Sequence, residues 1–388
     1  GGRGTCEVKK RLEAEPTDTQ MDGCLVMRAV IAFSGGMDST GLLLHLLSRG
    51  YAVNCISYDY GQKHKVEIER ARANIEYFSR EGISVEHEVV DLRSAMGIFY
   101  SALTSEEYDI PQGHYEEEQM KATVVPNRNA IFSSILYGYA LSIAIKEDTD
   151  VEIALGVHSG DHAIYPDCRP EFYESLSESF SLGNWDSDRI SLKLPYIDLD
   201  KESILRDSLK SCNILGLDFD TVFSNTNTSY NPDSQGRSSG TSGADVERIL
   251  AFHAIGRVDP VEYVDDWDKI LSGALKSELR FHVMKKNGTE RPFTGEYDKH
   301  YEDGVYNCAE CGKKLFLSGS KFDSGCGWPA FSKEADEAGI IQLVDNSHGM
   351  RRIEVRCSGC DSHLGHLFHE SRGPRYCINS ICLDFEEG

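Results

Sequence analysis

The heptapeptide Ser34–Thr40, with the sequence SGGMDST, most constrains the fold of the first part of the chain. It follows the apolar run Leu25–Phe33, which is typical of a buried parallel strand. The apolar segment Leu42–Leu47 comes after it and predicts a helix that ends near Gly50. Together these segments predict a strand, a tight glycine turn and the N-terminus of a helix, an arrangement that favours anion binding.

The residues of this turn indicate how a phosphate would be held. Gly35 and Gly36 allow the backbone to come close to a ligand, and the free N–H groups of the first helical turn favour negative charge. A Walker loop would also contain a lysine, and this turn has none. Backbone amides and the hydroxyl groups of Ser34, Ser39 and Thr40 would therefore hold most of a bound phosphate.

The formal charge of −23 argues against two classes of partner. A strongly acidic surface does not favour general binding to nucleic acids or to an anionic membrane. No apolar run approaches the roughly 20 residues that a transmembrane helix needs, and we predict no signal peptide. Seven of the twelve cysteines fall between Cys308 and Cys382, where their spacing indicates metal binding and redox chemistry. A reducing cytoplasm is the simplest compartment for such cysteines.

Strand and helix patterns alternate after the first helix. The predicted elements are strand Tyr51–Tyr58, helix Val66–Phe78, strand Val85–Val90, helix Ile131–Ile145 and strand Val151–Val157. This alternation predicts an α/β fold with a doubly wound parallel sheet, in which ligands bind at the carboxyl ends of the strands. We divide the chain into a disordered leader at 1–26, an α/β domain at 27–264, a linker at 265–276 and a second domain at 277–388.

Polar clusters follow several of these strands. YDYGQKH comes after the second strand, VPNRN opens the long helix, and GVHSGDH follows the next strand and leads into YPDCRPEF. Taken singly, such residues can be surface ion-pair partners, helix caps or small buried side chains. Because all of them follow strand ends in one parallel sheet, we expect them to share a site.

The motifs SGGMDST, DYGQKH, VPNRN and YPDCRPEF, in this order, resemble those of the 7-cyano-7-deazaguanine synthase (QueC) family over about Arg28–Tyr263. The resemblance implies an ATP pyrophosphatase-type (PP-loop) ligase that uses ATP and Mg²⁺. Such an enzyme adenylates the carboxylate of 7-carboxy-7-deazaguanine, replaces AMP by ammonia, and uses a second ATP to dehydrate the amide to a nitrile. By the resemblance, the ATP phosphates are held by Ser34, Gly35, Gly36, Asp38, Ser39 and Thr40. The candidates around the deazaguanine and its carboxylate are Asn127, Arg128, Asp161, Tyr165, Asp167 and Arg169.

This chain departs from the family at one place. The family ends in a zinc site of four cysteines, and the corresponding residues here are Ser229, Ser239, Ser242 and Asp245. Serine hydroxyls are poor zinc ligands, so we predict that this half binds no zinc and that hydrogen bonds or packing hold the segment instead. Three functions stay open for this half: synthesis of 7-cyano-7-deazaguanine, transfer of the activated carboxylate to an amine or a protein, and nucleotide sensing without turnover.

The character of the sequence changes after the helix-compatible linker. Glu278–Met284 and the turn-rich stretch Lys286–Phe293 begin a segment that predicts short strands and many turns, as in a small, mainly β domain. It contains two CxxC pairs, which are formed by Cys308, Cys311, Cys357 and Cys360. In a reducing compartment this spacing predicts a structural zinc site with four thiolates, and two redox disulfides are the alternative.

A second set of motifs lies between and after the CxxC pairs. They are GCGWPAF around Cys326, SHLGH, and RYCIN around Cys377. A cysteine next to an arginine and two histidines predicts a lowered thiol pKa and therefore a nucleophile. With the flanking GTERPFTGEY, these motifs resemble those of methionine-R-sulfoxide reductases, the MsrB family, over about Ser277–Phe385.

The resemblance to MsrB implies a role for each of these residues. Cys377 attacks the sulfoxide sulfur and becomes a sulfenic acid, and Cys326 resolves it as a disulfide that thioredoxin reduces. Trp328 provides an apolar wall for the methyl group of the substrate. The residues that activate the thiolate and position the sulfoxide oxygen are His363, His366, Arg375 and Asn379. Cys382 is either buried packing or an alternative resolving thiol. We therefore predict a cytoplasmic two-domain enzyme, present as a monomer or as a homodimer through its first domain.

Overall fold

The computed structural model describes residues 26–62, 66–99, 124–160, 165–227, 233, 237–336, 339–371 and 373–388. Most of the predicted leader, the candidate site residue Asp161 and the serine at position 229 lie outside the described residues. None of the helices in these ranges combines the length and the apolar character needed to cross a membrane.

The first domain is built on a parallel sheet of five strands in the order β3-β2-β1-β4-β5. The strands are β1 Arg28–Ala32, β2 Ala52–Asp59, β3 Glu86–Asp91, β4 Val151–Ala154 and β5 Ile190–Lys193. This sheet confirms the predicted doubly wound α/β fold, although β5 was not predicted. The strand order reverses between β1 and β4, and at such a point the chain leaves a crevice at the carboxyl ends of the strands.

Helices cover both faces of this sheet because successive side chains of its strands point to opposite faces. In β1, Ala29 and Ile31 belong to one hydrophobic core and Val30 belongs to the other. The helices are α1 Met37–Ser48, α2 Val66–Arg80, α3 Arg93–Met96, α4 Arg128–Glu147, α5 Pro170–Gly183, α6 Lys201–Leu215, α7 Phe219–Ser224 and α8 Gly243–Ala254. Helix α6 starts at a local signal, since the Asp200 carboxylate accepts the N–H of Ser203 at 2.8 Å.

A single helix, α9 (Trp267–Lys286), runs from the predicted linker into the second domain. Glu278–Met284, which we expected among short strands, is therefore helical. Ile270 of this helix packs in a small core with residues of α8, and Val283 lies in the core of the second domain. The helix thus contributes side chains to a core on each side of the predicted linker, which explains why its apolar residues are spread over both of its ends.

The second domain is mainly β, as predicted. Six strands form an antiparallel sheet in the order β10-β11-β12-β13-β9-β8, and three form a sheet in the order β14-β6-β7. The strands are β6 Gly304–Cys308, β7 Lys314–Leu317, β8 Lys321–Phe322, β9 Ala330–Phe331, β10 Ile340–Asp345, β11 Arg352–Cys357, β12 His363–Glu370, β13 Gly373–Ile378 and β14 Leu383–Glu387. Aromatic side chains fill the space between the sheets, for example the stacked rings of Phe316 and Phe331.

The segment in which the first domain lacks cysteines is held by hydrogen bonds and packing. Ser242 and Asp245 form a capping box at the start of α8, in which the Ser242 hydroxyl accepts the N–H of Asp245 at 3.2 Å and the Asp245 carboxylate accepts the N–H of Ser242 at 3.4 Å. Gly240 has a φ of +73°, and a Cβ at this position would lie 2.9 Å from Ile270 of α9. Where described, the segment therefore has the substitutes for metal ligands that we expected.

Candidate functional sites

The turn between β1 and α1 clusters hydroxyl groups at a helix N-terminus. The Ser34 and Ser39 hydroxyl oxygens are 3.1 Å apart, and the Ser34 hydroxyl accepts the N–H of Gly36 at 3.2 Å. The Ser39 hydroxyl donates to the carbonyl of Gly36 at 3.2 Å. Gly36 is the N-cap residue of α1 and, having no side chain, makes no capping hydrogen bond to the first N–H groups of the helix. The turn therefore presents hydroxyls and free N–H groups to an anionic ligand.

Close packing of the turn also requires glycine at position 35. Its φ is +82°, and a Cβ on this residue would lie 2.2 Å from the carbonyl oxygen of Glu67 and 2.8 Å from the nitrogen of Ala71. The glycine is thus required by close packing of the turn against α2 and by the left-handed backbone. A Cβ on Gly36 would lie 3.3 Å from the carbonyl oxygen of Asn227 and from the Ser34 hydroxyl, which is less severe but still tighter than an ordinary van der Waals contact.

A group of charged residues lies beside the turn. One carboxylate oxygen of Asp38 is 3.8 Å from Nε2 of His158 and 3.9 Å from Nζ of Lys201. Lys201, at the start of α6, also pairs with Glu247 of α8 at 2.9 Å, and its side chain is only 10% exposed. The second Asp38 oxygen and the Thr40 hydroxyl are buried with no hydrogen-bond partner among the described residues. Tertiary packing therefore supplies the cation that the turn itself lacks.

Two cavities open on either side of the carboxyl end of β1. Cavity A, of about 280 Å³, lies at the crevice between β1 and β4, and cavity B, of about 250 Å³, lies between β1 and β2. Both are lined by Ser34 of the turn and by Arg128, Asn129 and Phe132 from the start of α4. Two ligands placed in these cavities would therefore meet at the turn.

Cavity A contains only some of the predicted deazaguanine residues. Arg128, Tyr165 and Asp167 line it. Asn127, which precedes α4 with a φ of +59°, and the exposed Arg169, which precedes α5, are not among its lining residues. Both residues were predicted from the motifs in which they occur. In the structure, other side chains near the starts of α4 and α5 line cavity A.

Asn129 was not predicted, and it lines both cavity A and cavity B. Its amide donates to the carbonyl of Asp167 at 3.3 Å and to the thiol of Cys168 at 3.4 Å. These bonds join the start of α4 to the segment that precedes α5. The motif VPNRN contained a signal for this residue, but nothing in it distinguished Asn129 from Asn127.

Cavity B is lined by aromatic rings and one acid. The rings of Tyr58 and Phe132 are stacked with centroids 4.0 Å apart. Burial raises the pKa of Glu67 to about 7, although the charge of Arg128 opposes this shift. A flat ring system with hydrogen-bonding groups on its edge suits these walls.

In the second domain, four cysteines come together as predicted. Cys308 is the last residue of β6 and Cys311 lies on the turn that follows it, and Cys357 is the last residue of β11 and Cys360 lies on the turn to β12. The sulfurs of Cys308 and Cys360 are 3.7 Å apart, those of Cys311 and Cys357 are 3.5 Å apart, and all four lie within 4.8 Å of one another. Zinc bound to sulfur at about 2.3 Å in a tetrahedron gives sulfur–sulfur distances of about 3.8 Å, so the cluster fits zinc.

The two predicted reactive thiols also meet. The sulfur of Cys377, on β13, is 3.7 Å from that of Cys326, which accepts a hydrogen bond from the Ser324 hydroxyl at 2.9 Å. However, burial and then the nearby Cys326 raise the pKa of Cys377 to about 12, against the opposing effect of Arg375. The prediction of a lowered thiol pKa is thus wrong here, because desolvation of the half-buried thiol and the neighbouring Cys326 outweigh the effect of Arg375.

A register shift brings the two histidines to one face of the sheet. Residues three apart on a regular strand point to opposite faces, but the pairing of β11 with β12 is irregular, and the rings of His363 and His366 lie 5.4 Å apart. His363 pairs with Glu354 at 2.7 Å and His366 with Asp345 at 3.0 Å. His366 is also the direct cross-strand neighbour of Cys377. The pairing of Glu354 and Asp345 with the two histidines could not be predicted from the sequence, because these acids lie on other strands.

The side chain of Asn379 joins two backbone segments by hydrogen bonds. Its amide oxygen accepts the N–H of Glu290 at 3.1 Å, and its amide nitrogen donates to the carbonyl of Leu364 at 3.1 Å. Glu290 was not predicted, yet its carbonyl accepts the indole N–H of Trp328 at 3.1 Å. Asn379 is therefore linked to the side chain of Trp328 through the backbone of Glu290. Cys382 is fully buried, in agreement with a packing role.

Comparisons with known proteins match two parts of the chain to two different families. A family model described as Queuosine biosynthesis protein QueC matches residues 28–256, and a model described as SelR domain matches residues 276–387. The 7-cyano-7-deazaguanine synthase of Caldicellulosiruptor saccharolyticus is 41% identical over 63% of this chain and 99% of its own length. That of Methanoregula boonei is 41% identical over 61% of this chain and 99% of its own length. A solved NMN synthetase from Francisella tularensis overlaps with a TM-score of 0.33 at 14% identity, over 69% of this chain and 90% of its own, which is too little to support an argument.

Proposed function

The chain belongs to the QueC family of queuosine biosynthesis proteins and ends in a SelR domain, and we propose that it is a bifunctional enzyme. The first domain uses ATP and ammonia to convert 7-carboxy-7-deazaguanine to 7-cyano-7-deazaguanine. The second domain reduces methionine-R-sulfoxide, free or in proteins. The observation that most supports the first activity is the pair of cavities that share Ser34 and Arg128, because adenylation needs two ligands that meet at a phosphate-binding turn.

In the proposed first step, the base of ATP stacks in cavity B and its phosphates lie over the hydroxyls at the start of α1. The deazaguanine lies in cavity A with its carboxylate toward Arg128. A carboxylate oxygen attacks the α-phosphorus, and the bond to pyrophosphate breaks with its electron pair leaving on pyrophosphate. Lys201 and Arg128 offset the negative charge that gathers between the two ligands. The Asp38 oxygen without a partner among the described residues is the group best suited to hold Mg²⁺, which neutralises phosphate charge when bound.

In the second step, ammonia attacks the acyl carbon and AMP leaves with the electron pair of its bond to carbon. The resulting amide is then activated by a second ATP and loses its oxygen to phosphate as the nitrile forms. A carboxylate or amide oxygen is a poor leaving group until it is joined to phosphorus, which is why both steps consume ATP. The same turn and cavities serve both steps, since the reacting carbon stays in place.

In the proposed reductase, Cys377 must lose its proton before it attacks, because burial raises its pKa. His366, its cross-strand neighbour, is placed to accept a proton, and Asp345 stabilises the imidazolium that results. The sulfoxide oxygen moves to Cys377 as a sulfenic acid, and methionine leaves. The Cys326 thiol then attacks that sulfur, water leaves, and a disulfide forms over a gap that starts at 3.7 Å.

The disulfide is reduced by a dithiol protein of the thioredoxin type, which returns both thiols. The four-cysteine zinc site and the reactive thiols need a reducing compartment, and we assign the enzyme to the cytoplasm on that ground. None of the cysteines in the described part of the chain is joined in a disulfide.

The synthase proposal is tested by incubating the purified full-length chain with 7-carboxy-7-deazaguanine, ammonium, Mg²⁺ and ATP. Mass spectrometry then follows small molecules and intact protein. Nitrile product together with AMP is the expected result. A protein adduct of deazaguanine mass without free nitrile would indicate a ligase that acts on amines, and ATP binding without AMP would indicate a nucleotide sensor.

A further inference from the structure

A third cavity, cavity C, lies next to cavity A in the first domain. It has a volume of about 240 Å³ and is enclosed by α4, α5, β4 and β5. Ser133 of α4 and Tyr173 of α5 line both cavities, so the two cavities adjoin at these side chains. Ser133 lies one helical turn after Asn129, which lines cavity A. Cavity C therefore leads toward the place where the substrate carboxylate would be activated.

The interior of cavity C is apolar. Its lining includes Ile153, Leu176, Phe180 and Leu192. The buried polar side chains of this lining are Ser133 and Tyr173 at the border with cavity A, and Tyr137. The hydroxyl of Tyr137 belongs to a ring that stacks on Phe180 with centroids 4.7 Å apart. This hydroxyl is buried and has no hydrogen-bond partner in the described parts of the chain. A buried polar group of this kind is suited to a small ligand that can donate or accept a hydrogen bond.

The surface side of cavity C is polar and acidic. Ser177 of α5, Ser187 and the exposed carboxylate of Asp188 line it there. The neighbouring Arg189 is paired with Asp148 at 2.8 Å, so it does not neutralise Asp188. Together with the net charge of −23, an acidic mouth raises the local concentration of small cations.

The conversion of ammonium to ammonia is favoured by the polar mouth of cavity C, its mainly apolar interior and the buried hydroxyl of Tyr137. With ATP in cavity B and the deazaguanine in cavity A, both cavities at the turn are filled, and the nucleophile needs a third approach. We propose that cavity C is the route by which ammonium enters and reaches the acyl adenylate as ammonia. This inference rests on the proposed synthase activity.

The chemistry of the route balances in three steps. Ammonium is drawn to the mouth by Asp188 and gives up a proton to solvent there, because the apolar interior disfavours a charge. Ammonia passes Tyr137, and its lone pair attacks the acyl carbon. The bond between that carbon and AMP then breaks with its electrons on AMP, and the new amide nitrogen releases a proton to solvent.

The test fills cavity C without changing cavity A. In Ser177→Phe the ring occupies the cavity, and in the control Ser175→Phe the same ring is added to the exposed face of the same helix. We expect Ser177→Phe to raise the KM for ammonium at least about tenfold while the KM values for ATP and for the carboxylate stay unchanged. The control variant should behave as the wild type.

Two further variants keep the volume of the cavity and guard against misfolding. Tyr137→Phe and Asp188→Asn should each raise the KM for ammonium severalfold, and the effect of Asp188→Asn should fade as salt is added. Exchange of pyrophosphate into ATP, measured with the carboxylate and without ammonium, reports adenylation alone. If exchange is normal but the KM for ammonium is unchanged in all variants, the route is overturned. If the wild type shows no exchange, the synthase proposal fails and the route fails with it.

Discussion

The two domains stabilise irregular segments by different means. In the second domain, four cysteine sulfurs within 4.8 Å of one another join the turns after β6 and β11. In the first domain, the corresponding task at the start of α8 falls to a capping box and to a buried ion pair between Arg248 and Asp259, whose shortest contact is 2.6 Å. The Arg248 guanidinium also donates to the Thr226 hydroxyl at 2.7 Å. A metal gives one strong, removable link, whereas the first domain divides the same task among several weaker contacts.

This difference has a consequence for stability. Structural zinc contributes ~10–16 kcal/mol of apparent free energy to a small site, which is as large as the whole stability of a typical domain. Single hydrogen bonds and caps contribute ~1 kcal/mol each. The second domain should therefore depend on a single ion, and the first domain should lose stability gradually as its contacts are removed.

Removal of zinc is expected to have the largest effect. A strong chelator should unfold the second domain and abolish sulfoxide reduction, because the two turns would lose their common link. ATP–pyrophosphate exchange by the first domain should persist. Zinc content, circular dichroism and the two activities, followed in the same sample, measure this. The distinction between the domains would be contradicted if both activities were lost equally or if both persisted. Added zinc should restore sulfoxide reduction.

Substitution of the reactive thiols sharpens the same comparison by separating chemistry from stability. Cys377→Ser should abolish reduction, by about 10³-fold or more, because no nucleophile remains. Cys326→Ser should still release one equivalent of methionine and then stop, since the sulfenic acid cannot be resolved. Rapid-quench measurements of released methionine, with limiting reductant, distinguish the two variants. Equal loss of the single turnover in both variants would overturn the assignment of roles.

The reductase should also depend on pH in a direction set by Cys377. Because its pKa is raised to about 12, the thiolate fraction of the resting enzyme rises with pH across the neutral and mildly alkaline range. The single-turnover rate should therefore increase as pH rises from 6 toward 9, by up to about tenfold per unit. A rate that is flat or falls over this range would show that substrate binding changes the environment of the thiol. Arg375→Met, which removes the cation that opposes the shift, should slow the reaction at every pH.

Breaking the buried ion pair of the first domain should have a smaller effect on folding than loss of zinc. Arg248→Met leaves Asp259 as a buried carboxylate without its guanidinium partner, and should lower the free energy of unfolding by about 3–5 kcal/mol. The matched control is Arg257→Met, which removes an exposed pair with Asp220 and should cost less than about 1 kcal/mol. Urea denaturation measures both. Similar losses in the two variants would mean that burial of the pair is not what matters.

The smallest effect is expected at the capping box. Ser242→Ala removes the acceptor for the N–H of Asp245 and should cost about 1 kcal/mol. Ser175→Ala, on the exposed face of α5, serves as the control and should change stability little. A loss of several kcal/mol at Ser242 would show that this one contact has replaced the metal, in place of the shared arrangement described above.

Several features were determined by the sequence alone. The alternation of apolar strand and helix patterns that begins at the turn SGGMDST predicted the parallel α/β architecture, because hydrophobic periodicity is a local property of the sequence. The CxxC spacings likewise led to the four-cysteine cluster, since ligand type and short spacing are sufficient to define a zinc site. The approach of Cys326 to Cys377 was implied by the family motifs and is present at 3.7 Å.

Other features depended on residues that are distant in the sequence, and only the tertiary structure decided them. Lys201 reaches Asp38 because α6 returns to the turn, and the acids that pair with the two histidines lie on neighbouring strands. The choice of Asn129 over Asn127, the packing role of Gly35 and the raised pKa of Cys377 all follow from burial against other segments. Cavity C is likewise formed by two helices and two strands. A local motif specifies which groups are available, whereas burial and long-range pairing decide their charge, their partners and the space that a ligand can occupy.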